Sequence, residues 1–390
     1  MNGSIRQLTD HLVSRLPDRA HEVLTRYGLF LFSRFGLRKV PVTLWHGPTS
    51  KTGQVGRLLV AGDDPWVQYL PQRFFAGESR HELLGRVTVR SLPRFLARFQ
   101  KSTDLTIARV DRMSGHTIFR GDYLAVPEWV GTRLTVPDNL DVLVRSSSNI
   151  QRDMRRVRRH KYEPVVSPGD EDFDLFYHTF YLPLSKARYG ELLVVRPAHD
   201  FRHRVRRGGI LWVRRDKQRV AALLFEEKEG TLDVLAVGSL DGDPRLMKEG
   251  AIAALYYFII ELARMRGCQT VDFRGSRSTL TDGVLRYKSK WGATLYDKTD
   301  SYHDLFVRWD QVNEVVKEFV SHTPLIFRDK GGFSALIGNQ LPNEHELWVD
   351  GLRRWYRLTE VGYREIPRAQ NAGWKPAARV MGLNDDRTCP

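Results

Sequence analysis

Between residues 270 and 292 the chain reads TVDFRGSRSTLTDGVLRYKSKWG, its densest run of groups able to do chemistry. Asp272 stands between Val271 and Phe273 on a strand-like stretch, so its carboxylate projects away from both. There it can accept a proton or orient an amine, or it can hold Arg274 or a turn amide. Arg274, Ser276 and Arg277 occupy the turn that follows. A turn on a rigid scaffold is where substrate contacts are made, although a solvated loop has the same composition. Lys288 and Lys290 flank a short helix with Tyr287 and Trp291. Trp291 reads as core, and Lys288 either stabilises developing negative charge or is a surface lysine.

Further basic groups lie around this run. Arg152, Arg155, Arg156 and Arg159 fall on one face of a helix predicted over 146–161, opposite a narrow stripe of Ile150, Met154 and Val157. Such a face grips phosphates or is simply solvated. The cluster Arg202, Arg204, Arg206 and Arg207 can extend the same footprint. Arg245 follows Asp243-Pro244, a cap and first-turn pair, so free N–H groups at that helix start can meet an anion. Arg188 and Tyr189 close a helical pattern at 173–185 just before Gly190 and are candidates to line an acceptor pocket.

Positioning these groups requires a definite order of elements. Strands at 210–214, 220–226 and 232–238 are joined by the short turns Arg215-Asp216-Lys217-Gln218 and Glu229-Gly230, which only an antiparallel meander permits. A helix of about 22 residues then runs from Pro244 to Arg266 and is closed by Gly267, so the strand at 270–273 can return parallel to its predecessor. A short helix at 282–291 and strands at 293–296 and 302–307 follow. Upstream, an amphipathic helical start (Leu8, Leu12, Leu16, Val23, Leu24, Tyr27) ends near Gly36. Strands at 55–61, 66–70, 86–89, 105–110 and 123–127 and a helix at 92–99 make a mixed block without a chemical motif. Residues 311–390 hold one amphipathic helix at 312–319 and a tail rich in Pro, Trp and Arg without strong periodicity. The expected division is an N-terminal α/β lobe at 1–140, a second lobe at 141–310, and the helix with an irregular tail at 311–390.

Composition narrows the field. With 61 Lys and Arg against 46 Asp and Glu the formal net charge is +15, which favours acidic partners: nucleotides, tRNA, an acidic carrier protein or an anionic membrane surface. The two cysteines, Cys268 and Cys389, make no disulfide framework or metal cluster, and no metal is expected. No secretory pattern opens the chain, and a cytoplasmic location is the expectation. Phosphate-loop, dinucleotide, zinc-protease and nucleophile-elbow motifs are all missing from the sequence.

The second half resembles the GNAT-fold acyltransferases, in particular their FemAB-type branch. The likeness is carried by the basic helix 151–161, by Pro244-Arg245-Leu246-Met247 leading through Ala253-Ala254-Leu255 to Arg266-Gly267-Cys268, and by Val271-Asp272-Phe273-Arg274-Gly275-Ser276 followed by Leu285-Arg286-Tyr287-Lys288-Ser289-Lys290-Trp291-Gly292-Ala293. It covers residues 145–308, is thin over 40–140 and is absent from the tail. It implies an α/β (α+β) fold with a mixed sheet flanked by helices, a degenerate N-terminal companion lobe, and a sheet that opens to admit a thioester or ester donor. The implied reaction is N-acyl or aminoacyl transfer to an amine acceptor from acyl-CoA, an acyl-carrier protein or aminoacyl-tRNA, with no covalent enzyme intermediate. The amine attacks directly, Asp272 or a water takes the proton, and backbone N–H groups at the opened strands hold the oxyanion. One departure stands out. The family's Arg/Gln-x-x-Gly-x-Gly/Ala turn, which cradles a diphosphate, is replaced by Gly238-Ser239-Leu240-Asp241-Gly242-Asp243-Pro244-Arg245, with carboxylates where a diphosphate would sit. From a different class, a non-catalytic module binding nucleic acid or an anionic membrane through its arginines fits the same charge.

Overall fold

The computed structural model describes residues 18–62, 67, 70–71, 74–76, 79–190, 196–339 and 347–366, without the side chains of 18–22, 189 and 203. The chain divides into two compact units, each discontinuous in sequence. Of the described residues, unit 1 takes those from 18 to 131, 275–285 and 295–366, and unit 2 takes those of 132–274 and 286–294. The sequence reading divides the chain linearly instead.

The chain begins with α1 (Asp18–Arg34), β1 (Lys39–Pro48), β2 (Val55–Ala61), β3 (Arg80–Thr88), α2 (Leu92–Ala97), β4 (Leu105–Asp111), α3 (Arg112–Ile118) and β5 (Leu124–Pro127). Strand β1 is absent from the sequence reading. The strand expected at 66–70 lies largely outside the described residues, and Val67 and Leu70 there are helical.

The middle of the chain runs through β6 (Trp129–Thr135), α4 (Leu140–Arg145), α5 (Ser148–Arg159), β7 (Glu163–Ser167) and α6 (Gly169–Leu175). A π-helix, Phe176–Tyr181, leads into α7 (Leu182–Tyr189) and α8 (Ala198–Val205). The meander is β8 (Gly208–Arg215), β9 (Gln218–Lys228) and β10 (Thr231–Ser239). Then come α9 (Pro244–Lys248), α10 (Ala251–Met265), β11 (Thr270–Arg277), α11 (Gly283–Lys290) and β12 (Thr294–Tyr296). The last elements are β13 (His303–Arg308), α12 (Glu314–His322) and four strands, β14 (Leu325–Asp329), β15 (Gly332–Ile337), β16 (Leu352–Thr359) and β17 (Gly362–Ile366).

In unit 1 the strand order β3-β1-β2-β4-β13-β5 forms one sheet and β14-β15-β16-β17 another. The second corrects the expectation of an irregular tail. Its strands are short, and Gly331 and Gly362 make its turns with φ of 78 and 147°. Arginines interrupt the apolar alternation of β16, where the exposed Arg353 and Arg354 lie between buried Leu352 and Trp355. Period-two reading fails on such strands.

In unit 2 the sheet order is β12-β6-β11-β10-β9-β8-β7. One face packs on α10, which is apolar over most of its surface because α5 covers it from outside with Ile150, Met154 and Val157, leaving Glu261 and Arg264 on its one polar side. The other face packs on α6, the π-helix and α8 through Phe173, Phe176, Phe180, Phe201 and Trp212. The expected single helix over 244–266 is two. Gly250 sits at φ 97°, a left-handed conformation that ends α9 and starts α10. A Cβ there would stand 3.2 Å from Arg156 Cβ, so the break lets α5 cross close to the start of α10.

Gly238 is a second position where only glycine fits. A Cβ on it would lie 2.6 Å from the Phe180 carbonyl carbon, because the π-helix backbone rests directly on β10. Gly238→Ala is therefore expected to cost about 1–3 kcal/mol through forced displacement of that helix. Gly283→Ala, where nothing lies within 4 Å, is the control and costs nothing. Denaturant midpoints of the two variants check the contrast, and equal midpoints would mean the π-helix is free to shift.

Candidate active site

Two cross-strand pairings build the site. The two-residue turn Glu229-Gly230, with φ of 50 and 72°, sets the β9–β10 register so that Glu226 faces Asp233. Strands β10 and β11 then pair in parallel over Thr231↔Thr270, Leu232↔Val271 and Asp233↔Asp272. Glu226, Asp233 and Asp272 thus stand side by side across three neighbouring strands. Like charges directly opposite destabilise a sheet, so such a row requires cations above it.

Arginines supply them. Arg204, from α8, places Nε 2.6 Å from Glu226 Oε2 and Nη2 3.5 Å from Asp233 Oδ2. Arg207 donates to the other Glu226 oxygen at 2.6 Å. Arg274 Nη1 stands 3.2 Å from Asp233 Oδ2. Glu226 is wholly buried, and Asp233 and Asp272 are half-buried. Burial pushes the Asp233 carboxyl up to about 6; Asp272 and Glu226 add to the rise while Arg274 and Arg204 oppose it. A carboxylate with that value is ionised at neutral pH yet basic enough to take a proton.

The end of the row is where the strands part. The parallel pairs stop at Asp233↔Asp272, and the β9–β10 register shifts between Val234 and Ala236. That bulge turns the β10 backbone just beyond Asp233. On β11, Arg274 takes φ 61°, uncommon outside glycine, and its N–H donates to Asp272 Oδ1 at 2.6 Å. Its carbonyl accepts from Thr132 Oγ1 at 2.9 Å and Lys288 Nζ at 3.2 Å. Asp272, Lys288 and Thr132 together hold Arg274 in a conformation that aims its guanidinium back at Asp233. A π-helix, of a kind common beside functional sites, backs β10 at Gly238.

The residues singled out from sequence divide into three groups. Asp272, Arg274 and the buried Lys288 converge on the carboxylate row. Ser276 and Arg277 continue β11 but fall in unit 1, Ser276 buried and Arg277 half-buried. Arg188 is exposed, its Nη2 3.7 Å from Met247 Sδ, and the Tyr189 side chain lies outside the described residues. Among the α5 arginines, Arg152, Arg155 and Arg159 are exposed, while Arg156 reaches Asp153 at 3.3 Å. Arg245 is exposed and its N–H is capped by Asp243 at 2.8 Å. The expected phosphate footprint of Arg202, Arg204, Arg206 and Arg207 is corrected: they pair with Asp174, Glu226, Asp170 and Glu226 respectively. Carboxylates already occupy their charge.

Sequence reading passed over Asp233 and Glu226. The signal was present, because a Glu-Gly hairpin fixes the register and puts two carboxylates opposite each other.

No protein-family model matches the chain, and no curated protein matches it. Solved structures that it resembles include L-PGS from Bacillus licheniformis, 12% identical over 70% of this chain and 86% of that one, with a TM-score of 0.34. FemX is 11% identical over 75% and 96%, with a TM-score of 0.37. A GCN5-related N-acetyltransferase from Kribbella flavida is 14% identical over 72% and 96%, with a TM-score of 0.24. Superposition at this level is partial. The strand order is firmer ground, since an antiparallel meander is followed by a crossover helix and a parallel strand that diverges after a bulge. Unit 2 is a mixed α/β lobe with this strand order. Function rests on its own side chains.

Proposed function

We propose that the protein is an N-acyltransferase that moves an acyl or aminoacyl group from a thioester or ester donor to an amine by direct attack. The observation that carries this reading is Asp233, a carboxylate raised to about 6 at the point where β10 and β11 part. The amine loses its proton to Asp233 as its nitrogen bonds to the donor carbonyl carbon. The carbonyl becomes an oxyanion facing backbone N–H groups of β10 beyond the bulge. Collapse breaks the bond to the donor sulfur or oxygen, which takes the proton back from Asp233 and leaves as thiol or hydroxyl, so the carboxylate is restored. Asp272 and Lys288 support Arg274, which keeps Asp233 paired and in place. Arg188 and Tyr189, in the same unit as Asp233, are the candidates for contact with the acceptor.

A second reading of the donor has its own support. Residues Leu240–Gly242 form a tight turn with Asp241 at φ 51°, and a Cβ on Gly242 would stand 2.7 Å from the Pro183 carbonyl oxygen. A carbonyl oxygen and the carboxylates of Asp241 and Asp243 are poor company for a CoA diphosphate. The exposed Arg152, Arg155 and Arg159 instead suit a polyanionic carrier, either aminoacyl-tRNA or an acidic acyl-carrier protein, with Arg245 an added phosphate contact.

The test is transfer of labelled acyl group from three donors, acyl-CoA, acyl-carrier protein and aminoacyl-tRNA, to a mixture of amines at two salt concentrations. Transfer from one donor is expected. If tRNA is that donor, replacing Arg152, Arg155 and Arg159 with Glu weakens binding at least tenfold and flattens its salt dependence. Transfer from none of the three would overturn the reading.

A further inference from the structure

Helix α1 is built inside out. An amphipathic helix on a folded domain ordinarily turns its apolar stripe inward. Here Val23, Leu24, Tyr27, Leu31, Phe32 and Phe35 are all between 47 and 73% exposed. At 100° per residue, Val23, Leu24, Tyr27, Leu31 and Phe35 form one continuous outward stripe, with Phe32 at its margin. The inward side is held by a polar contact, since buried Ser33 donates its hydroxyl to Asp111 Oδ2 at 2.6 Å. Half-buried Leu29 and Phe30 flank Ser33 on that side, while the larger part of the helix's apolar surface is offered to something else. An exposed apolar stripe of this extent marks an interaction surface.

Charge indicates what that something is. Residues 23–62 contain no Asp or Glu, against Arg26, Arg34, Arg38, Lys39, Lys51 and Arg57. Arg34 is exposed on the stripe's own side of the helix, and Arg90, also exposed, lies on the turn against which α1 packs. Tyr27, Phe32 and Phe35 add rings, the Tyr with a polar tip. Apolar and aromatic residues flanked by arginines, without a carboxylate among them, complement a layer of anionic headgroups above acyl chains. A second copy of the same face would instead bring like charges together. Among the described residues no helix is long and apolar enough to cross a membrane, so this helix would lie along a surface.

We propose that α1 docks the protein on an anionic phospholipid bilayer, with Leu24, Leu31 and Phe35 entering the headgroup–acyl boundary and Arg34 and Arg90 meeting lipid phosphates. This inference is independent of the acyl-transfer reading, and the Asp233→Asn protein keeps the docking behaviour.

The test is co-sedimentation of the full chain with vesicles of phosphatidylcholine alone and of phosphatidylcholine with phosphatidylserine. Sedimentation velocity without lipid runs alongside. The protein should bind the phosphatidylserine vesicles, bind neutral ones at least tenfold less, and release as salt rises. Leu31→Glu with Phe35→Glu should lower vesicle partitioning at least tenfold. Both positions are exposed, so far-UV circular dichroism and the unfolding midpoint should stay unchanged. Arg34→Glu should lower partitioning and weaken its salt dependence. Failure to bind anionic vesicles, or binding that the double variant leaves intact, overturns the proposal. So does a lipid-free dimer that the double variant dissolves, since the stripe then belongs to a second copy.

Discussion

Asp233→Asn should lower the turnover number by about 10²–10³, within the usual reach of general-base catalysis, while leaving donor binding unchanged. The same substitution should stabilise the protein above pH 6. In the folded state the Asp233 carboxyl is raised from its ordinary 3.8 to about 6, so between those values the native protein holds a proton that the unfolded chain has released. Stability then falls as pH rises through that window, because the native state binds more protons than the unfolded one. At about 1.4 kcal/mol per pH unit the ionised carboxylate costs the fold up to about 3 kcal/mol at pH 8. Asn removes that cost and resembles the protonated acid. Below pH 4 the two proteins should unfold alike. Activity carries the opposite sign: kcat/KM climbs with pH and levels above about 6 as the base ionises. Arg274→Ala should move that limb upward, since Arg274 is the largest influence holding the Asp233 carboxyl down. The measurements are pH–rate profiles, urea unfolding at pH 3.5 and 8, and carbon-13 titration of the Asp233 carboxyl. A variant that keeps full turnover would remove Asp233 from the chemistry, and if Asp272→Asn alone abolished it the base would be Asp272.

How far these features can be read from sequence depends on how local their causes are. The meander β8–β10 is legible because Asp216-Lys217 and Glu229-Gly230 are two-residue turns that fix antiparallel register, all four residues at positive φ. The same arithmetic gives Glu226 opposite Asp233, an anomaly that only an attentive count exposes. Asp272 was found because it interrupts an apolar strand. Its place beside Asp233 depends on a parallel register with α9 and α10 between, and no local turn encodes that. Lys288 reads from sequence as either a charge stabiliser or a surface lysine, and its ammonium instead reaches a backbone carbonyl because Arg274 adopts φ 61°, which side-chain patterning does not register. The break at Gly250 was invisible for the converse reason. Residues 244–266 keep a helical period across it, and a lone glycine inside a helix usually only weakens it. The arginines of 202–207 read as a phosphate grip because their carboxylate partners are distant in the chain: Glu226 lies 22 residues beyond Arg204 and Asp170 36 before Arg206.

Those arginines lead to the largest stability effect expected in the molecule. Glu226 is 1% exposed and accepts from Arg204 Nε and Arg207 Nε, both at 2.6 Å. Replacing the pair's partners together by apolar groups need not cost anything, but removing the carboxylate alone strands a guanidinium in a poorly hydrated place. Among the described residues, Arg204, 15% exposed, would keep Asp233 at 3.5 Å, a carboxylate already shared with Arg274. Glu226→Ala should therefore cost about 3–5 kcal/mol, and Glu226→Gln, which keeps the volume and one acceptor, distinctly less. Arg207 is nearly half exposed and contributes little to that sum, since water replaces its partner. The Gln variant also separates structure from chemistry. Glu226 is among the charges that raise Asp233, so its neutralisation should lower the Asp233 value below about 6 and move the acid limb of the rate profile to lower pH. A structural role alone predicts the guanidinium chloride midpoint falling with the limb unmoved. A limb that moves with a modest loss of stability means that the buried carboxylate sets the basicity of its neighbour across the strand.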